Sequence, residues 1–261
     1  MTVKYLGTGG TEGIPALFCA CTICSEARKN GGRDVRRRAC AVINGRLLVD
    51  LPPDLFCMAV EYGIDTPALG GMLLTHAHGD HFYTDELRHL SGSMPVFGNA
   101  AVGEQLMKAA REGGYADKIY FSVLAPYVPA DALGFRVTPL KARHDLGAYV
   151  YIIEDSSRCM LYGNDSGFFP EETWDRLPGN KFDLVSLDCG NMGGRDNTSH
   201  MTLEDNLTVR KRLYQIGCLK HGTKFVCTHF SHTSLSRHDE IAGLLRTHSI
   251  TAAYDGMEVT V

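Results

Sequence analysis

Short apolar runs punctuate this chain at residues 3–6, 40–43, 46–49, 72–74, 95–97, 135–140, 149–153, 159–162, 184–187 and 224–227. They are brief, dominated by aliphatic side chains and bounded by turn residues, the pattern of buried strands. Longer segments at residues 53–62, 85–90, 100–112, 170–175, 202–215 and 237–247 carry apolar positions at helical spacing. Thr202 followed by Asp205 gives T-x-x-D, a capping-box-like helix start. Strands and helices interleave with no linker, which predicts an α/β fold built of βα units. No internal repeat or low-complexity tract interrupts them. Residues 190–199 form the longest polar, glycine-containing stretch, a loop that delivers His200.

Composition narrows the class. A chain of 261 residues can form one large domain, here expected over residues 1–261, with a substantial core. Hydrophobic content of 44% and charged content of 21% suit a globular enzyme. The net charge of −4 gives no global pull toward nucleic acid or anionic membrane. Arg33, Arg36, Arg37 and Arg38 are a local exception, read as a solvated face or carboxylate partners, with phosphate binding as the alternative. Met1-Thr2-Val3-Lys4 leads straight into a strand, without the apolar segment of a signal peptide. No window reaches the roughly 18 apolar residues of a membrane span. A cytoplasmic protein is therefore expected. Nine cysteines, an odd number, fit a reducing compartment better than a disulfide framework.

The densest chemistry is LLTHAHGDH at residues 73–81, which places His76, His78, Asp80 and His81 in the pattern H-x-H-x-D-H. Three imidazoles and a carboxylate so close together suit zinc and similar borderline metals. Alternation sets His76 and His78 on one side of an extended segment. Gly79 lets the chain turn, so Asp80 and His81 can face a second position. One segment can thus serve two metals. His144, Asp165 and His229 each come shortly after an apolar run, where loops at a sheet edge commonly assemble a site. Cys19, Cys21 and Cys24 form C-x-C-x-x-C, a spacing that can wrap one tetrahedral zinc and would need a fourth ligand. The other six cysteines sit in apolar contexts and read as core thiols. His89, His221, His238 and His248 show no partner pattern and read as ordinary surface or helix residues.

The order GTGG, Asp50 after a strand, H-x-H-x-D-H, then His144, Asp165 and His229 resembles the metallo-β-lactamase fold superfamily over nearly the whole chain. Within it, GTGGTEGIPALFCACTIC, LLTHAHGDH, NTSH, THFSH and DGM resemble the PhnP phosphodiesterases of the carbon–phosphorus lyase pathway. The resemblance implies an α/β fold of the αββα four-layer sandwich type. It assigns His76, His78 and His144 to one metal and Asp80, His81 and His229 to a second, with Asp165 bridging. It supplies His232 as the fourth partner of the cysteines around a structural zinc. The active-site metals would be zinc or manganese, and a hydroxide between them would attack phosphorus. His200 falls to phosphoryl binding or leaving-group protonation. Asp50 and Asp188 are read as acceptors that orient ligand imidazoles.

The implied function is a phosphodiesterase for a small phosphate ester resembling a phosphoribosyl cyclic phosphate, in phosphonate metabolism. Competing readings are another metallo-hydrolase (nuclease, thioesterase or lactonase) and a non-hydrolytic protein like PqqB of quinone-cofactor biosynthesis. A tRNA nuclease would carry a long basic, glycine-rich arm, which this sequence lacks. The partners expected are a small phosphodiester and no membrane or nucleic acid; the sequence leaves a homodimer open.

Overall fold

Parallel neighbours in a sheet require a crossover, usually a helix, and that requirement organises both halves of the chain. The computed structural model describes residues 1–145, 147–194, 199–234 and 237–261. The first half runs β1 (Thr2–Gly7), α1 (Thr22–Asn30), β2 (Cys40–Ile43), β3 (Leu47–Val49), α2 (Leu55–Tyr62), β4 (Gly71–Leu73), β5 (Met94–Gly98), α3 (Ala100–Gly113) and β6 (Ile119–Val123). The second runs β7 (Ala130–Ala132), β8 (Phe135–Lys141), β9 (Tyr149–Glu154), β10 (Cys159–Gly163), α4 (Glu171–Trp174), β11 (Phe182–Asp188), α5 (Leu203–Gln215), β12 (Leu219–Thr228), α6 (His238–Thr247), β13 (Thr251–Ala252) and β14 (Glu258–Thr260).

One seven-stranded sheet has the order β14-β1-β2-β3-β4-β5-β6 and the other β13-β12-β11-β10-β9-β8-β7. In the first, β1, β2 and β3 pair antiparallel, while β3 and β4 pair parallel across α2, β4 and β5 across the segment of residues 74–93, and β5 and β6 across α3. In the second, β8, β9 and β10 pair antiparallel, while β10, β11, β12 and β13 pair parallel across α4, α5 and α6. The C-terminal ends of β1, β3 and β4 therefore share one edge. Those of β8, β10, β11 and β12 share the corresponding edge of the other sheet.

The sheets pack face to face through Val3, Tyr5, Ile43, Leu73, Tyr151 and Val226. Buried tyrosine hydroxyls need partners, and here they cross between sheets. Tyr5 Oη donates to Ser186 Oγ at 2.9 Å and Tyr151 Oη to the Leu74 carbonyl at 2.6 Å. On the outer faces, α2 and α3 cover the first sheet with Met58, Val102 and Leu106. Trp174, Val209, Leu213 and Ile241 from α4, α5 and α6 cover the second. The layers are helix, sheet, sheet, helix, as the resemblance implied. The T-x-x-D start is a true capping box: Asp205 N–H donates to Thr202 Oγ1 at 3.0 Å, and Thr202 N–H donates back to Asp205 Oδ2 at 2.9 Å.

Several expectations change. β7, β13 and β14 carry no apolar run and are short strands held by one neighbour, while β6, with the apolar residues Ile119–Phe121, is a largely exposed edge strand outside the expected set. Residues 84–89 form a 3-10 helix, not an α-helix. Cys24 lies inside α1, a polar helix that apolar spacing did not reveal. Cys57 faces outward from α2 and is exposed. His238 is buried, with Nδ1 3.0 Å from Arg36 Nη2.

The arginine cluster is structural. Arg36 is 2% exposed and donates to Thr8 Oγ1 and the Ala253 carbonyl, fastening the N-terminal loop to the C-terminal segment. Arg37 pairs with Glu61 and Asp255, Arg38 pairs with Asp54, and Arg33 lies over the Tyr254 ring.

Two glycines give opposite tests. A Cβ on Gly7, which opens the GTGG turn, would lie 2.0 Å from the backbone carbonyl of Arg38, where little can yield. Gly7→Ala should destabilise by about 2 kcal/mol or more, the upper part of the overpacking range. Gly243 lies inside α6 with open space around its Cβ position. Gly243→Ala should stabilise by about 0.5–1 kcal/mol through helix propensity. Denaturant midpoints that moved the same way for both would refute this.

Candidate active site

Most of the site residues follow strand ends on the shared edge. Asp50 follows β3, and the loop carrying residues 75–81 follows β4. From the facing sheet, His144 follows β8, Asp165 follows β10, Asp188 ends β11 and His229 follows β12. Asp50, Asp165 and His229 all have positive φ, at 67°, 47° and 60°. Left-handed backbone costs energy in a residue with a Cβ and recurs at functional sites. Here it turns Asp165 and His229 off their strand ends into the cleft, and Asp50 toward the loop after β4.

The structure brings the predicted ligands into two clusters. Nε2 of His76 lies 2.9 Å from Nδ1 of His78, which lies 3.2 Å from Nε2 of His144. Asp165 Oδ2 is 3.4 Å from His76 Nε2 and 3.7 Å from His144 Nε2. In the second cluster, His81 Nε2 is 3.2 Å from Asp80 Oδ2 and 3.1 Å from Asp165 Oδ2. His229 Nε2 is 2.6 Å from Asp165 Oδ1. Asp165 therefore belongs to both clusters.

Whether these residues fit a cation can be read from the imidazoles. The ring nitrogen pointing away from the cluster has its own acceptor in four cases. His76 Nδ1 faces Thr75 Oγ1 at 2.9 Å, and His81 Nδ1 faces Asp50 Oδ2 at 2.8 Å. His144 Nδ1 faces the Ser199 carbonyl at 3.2 Å, and His78 Nε2 faces Asp145. An N–H donated outward assigns the tautomer and leaves the inward nitrogen as a lone pair. Inward lone pairs and carboxylate oxygens then face one another. Despite these short separations, His81 Nε2, His229 Nε2 and Asp165 Oδ1 are buried without a well-directed hydrogen bond. Tetrahedral zinc with Zn–N of about 2.0–2.1 Å sets nitrogens roughly 3.3 Å apart, close to the spacing in the first cluster. The donor set fits divalent cations.

Proton affinities follow the same geometry. Burial, with the neighbouring His81 charge, drives His76 down to about 2. Burial also opposes charge on His81, but Asp165 and Asp50 outweigh it and hold His81 well above its ordinary value. Asp165 resists the upward push of burial because His229 and His81 hold it well below the carboxylate range.

Around the clusters stands an outer layer. Asp50 is fully buried and accepts from Thr75 N–H, Thr75 Oγ1 and His81, pinning both ends of the ligand loop. It bonds His81 and is not among the described residues that line the cavity. Asp188 accepts from Gly190 N–H at 2.6 Å and from His200 Nδ1 at 2.7 Å. The His200 ring stacks on His229 with centroids 5.1 Å apart. Burial works against its charge, but the Asp188 bond raises His200 to about 9. Part of the 190–199 loop, residues 195–198, lies outside the described residues.

The cavity has a volume of about 550 Å³. Its described lining adds Thr11, Glu12, Asn191, Ser231 and Thr233 to the cluster residues, with no Lys or Arg among them. Sequence reasoning missed Asp145, Glu12 and this rim. Asp145 directly follows His144, which was the one available signal.

A separate cluster unites Cys19, Cys21, Cys24 and His232. His232 Nδ1 is 3.5 Å from both Cys19 Sγ and Cys21 Sγ. Zn–S of about 2.3 Å and Zn–N of about 2.0–2.1 Å require a spacing near 3.5 Å in a tetrahedron, so this set also fits. His232 and then the Cys24 N–H lower the Cys21 thiol to about 6, while burial raises Cys24 to about 11.

Residues 46–230 match the sequence model of the beta-lactamase superfamily domain, well over half of the chain. A crystal structure of a diphosphatase from the PhnP family is similar over 99% of this chain and 96% of its own, at 23% identity and a TM-score of 0.78. Zinc-bound PqqB from Methylobacterium extorquens is similar over 100% of both chains, at 18% identity and a TM-score of 0.81. An octanoyltransferase from Porphyromonas gingivalis is 26% identical over the whole of this chain, which spans 52% of that protein's length. The two solved structures share the metallo-β-lactamase fold with this protein, and the extent of the family match shows that the chain belongs to the beta-lactamase superfamily.

Proposed function

We propose that the protein is a dinuclear-metal phosphodiesterase acting on small phosphate diesters, cyclic ones included. The observation that carries this reading is the set of inward lone pairs around a carboxylate shared by two clusters. His76, His78 and His144 would hold one divalent cation, Asp80, His81 and His229 a second, and Asp165 both. Zinc and manganese each suit such nitrogen and oxygen donors. When bound, the pair supplies Lewis acidity toward phosphoryl oxygens and a nucleophilic water at neutral pH.

The chain's own residues do the rest. Asp188 holds His200 as an imidazolium on the cavity wall, poised to donate its proton to the departing alkoxide. Thr11, Asn191, Ser231 and Thr233 offer hydrogen bonds to a hydroxylated remainder of the substrate. A monoester dianion needs extra positive charge, and the described rim offers a carboxylate at Glu12 and neither Lys nor Arg. A diester monoanion is the better match. Chemistry at phosphorus is also what the name of the PhnP-family diphosphatase denotes. A compound like a phosphoribosyl cyclic phosphate, in phosphonate metabolism, fits both arguments. The octanoyltransferase relative favours a second reading, cleavage of an acyl thioester. The polar rim gives an octanoyl chain little apolar surface.

The metal assignment predicts about three metal ions per chain by elemental analysis, two in the histidine clusters and one zinc on the cysteines. Cys21→Ser should lose the zinc and lower the melting temperature. His81→Ala should lose activity with a smaller effect on folding. Full activity in metal-free protein would rule the mechanism out.

With manganese supplied, hydrolysis of bis-p-nitrophenyl phosphate and ribose cyclic phosphates should exceed that of p-nitrophenyl phosphate, a lactone or an octanoyl thioester. His200→Ala should lower kcat by about 10²–10⁴-fold with the active-site metals retained. Metal loss in that variant would make His200 a ligand instead. Thioesterase activity above diesterase activity would favour the second reading.

A further inference from the structure

Glu12 belongs to neither ligand set, yet it stands between them. The loop after β1 is fastened to the loop after β12 by backbone bonds: Gly10 N–H donates to the Phe230 carbonyl at 3.0 Å, and Phe230 N–H to the Thr8 carbonyl at 2.9 Å. Across this seam, Glu12 Oε1 accepts from Ser231 Oγ at 2.5 Å and lies 3.5 Å from His232 Nε2. Ser231 Oγ in turn accepts from Thr233 N–H at 3.2 Å and pairs with Thr233 Oγ1 at 3.0 Å. Glu12, Ser231 and Thr233 all line the catalytic cavity. A Cβ on Gly10 would sit 3.4 Å from His229 Cε1 and 3.7 Å from Glu12 Oε2, so the carboxylate and the His229 ring flank the same glycine.

We propose that Glu12 is a positioning residue shared by the cysteine cluster and the catalytic rim, so that metal held by Cys19, Cys21, Cys24 and His232 sets the position of Ser231 and Thr233. With Nδ1 of His232 turned to the thiolates, its Nε2 carries the hydrogen and points at Glu12. With a dication held at Nδ1, that N–H would be a stronger donor toward the Glu12 carboxylate. A carboxylate behind a ligating imidazole fixes the ring's tautomer and raises its basicity, and removing such a partner typically costs about 10–100-fold in metal affinity. The same oxygen anchors Ser231, so the pull on Glu12 is transmitted to the rim. Because the two loops are already joined through their backbones, the link costs little additional ordering.

Cobalt provides the test, since among the clusters of described residues only the cysteine one contains sulfur and can give a strong thiolate charge-transfer band; Cys57→Ser as the background removes the exposed thiol of α2. In that background, metal-free protein with Glu12, Glu12→Ala or Glu12→Gln would be titrated with Co²⁺ while that band and the melting temperature are followed. Glu12→Ala should weaken cobalt binding at the cysteines by about 10–100-fold. Glu12→Gln, whose carbonyl can still accept from Ser231 and face His232, should recover most of the loss. With zinc and manganese restored, Glu12→Ala should raise KM for bis-p-nitrophenyl phosphate several-fold with little change in kcat. The KM readout rests on the phosphodiesterase reading above, whereas the cobalt titration stands apart from it. An inactive wild type would overturn that reading and leave the cobalt result to decide the role of Glu12. An unchanged thiolate titration in Glu12→Ala, or a lower melting temperature without a change in cobalt affinity, would overturn the proposal.

Discussion

The structure depends on one buried carboxylate. Asp165 is 2% exposed and faces His76, His81 and His144 with one oxygen and His229 with the other. An isolated ionised carboxylate in such a place would be very costly. Positive charge must therefore be assembled around it, as protonated imidazoles or as cations. The ligand residues come from both sheets, so the two strand edges must meet at this point. The parallel strand pairs and their crossover helices deliver that convergence, because they send several C-terminal strand ends to one edge.

The outer acceptors decide how that charge is used. Asp50 is buried and bonded to Thr75 and His81, so His81 and, through Thr75, His76 keep their inward nitrogens directed at the clusters. Asp188 does the same for His200, but with a different result. His200 carries a proton to about 9 and sits at the cavity wall. Both carboxylates raise the proton affinity of the imidazole they hold, so the different result lies in direction. The difference is that His76 and His81 point at Asp165, whereas His200 stacks beside His229.

A second constraint lies at the seam between the chain's two ends. The segment from Thr11 to Cys21 contributes few buried apolar side chains, and its tip leaves Leu17 79% and Phe18 100% exposed. It is held by polar means: Arg28 donates to the Cys19 and Ala16 carbonyls, buried Arg36 bonds Thr8 and Ala253, and the cysteine cluster reaches His232. The arginines that could have suggested a phosphate site are consumed in this fastening. That leaves the described lining of the cavity without a Lys or Arg.

Much of this was legible in the linear chain. Buried strands need apolar side chains on both faces, so the central strands announced themselves as apolar runs. Metal ligation demands particular atoms, so His76, His78, Asp80 and His81 stood out within six positions, and Cys19, Cys21 and Cys24 within another six. The order of His144, Asp165 and His229 after strand-like runs completed the set. The edge strands β7, β13 and β14 did not announce themselves, because short strands held by one neighbour need no apolar signature, and β6 did not stand out despite its Ile-Tyr-Phe run. Nor did the surroundings of the ligands. The burial of Arg36 and His238, the bond from Asp188 to His200, and the placing of Asp145 and Glu12 depend on which loops meet in space. Polar side chains have no periodicity that reveals a partner distant in sequence. Local chemistry thus determined which residues could bind metal, while tertiary packing alone decided which nitrogen faces inward, which carboxylate is shared and which charged groups reach the cavity.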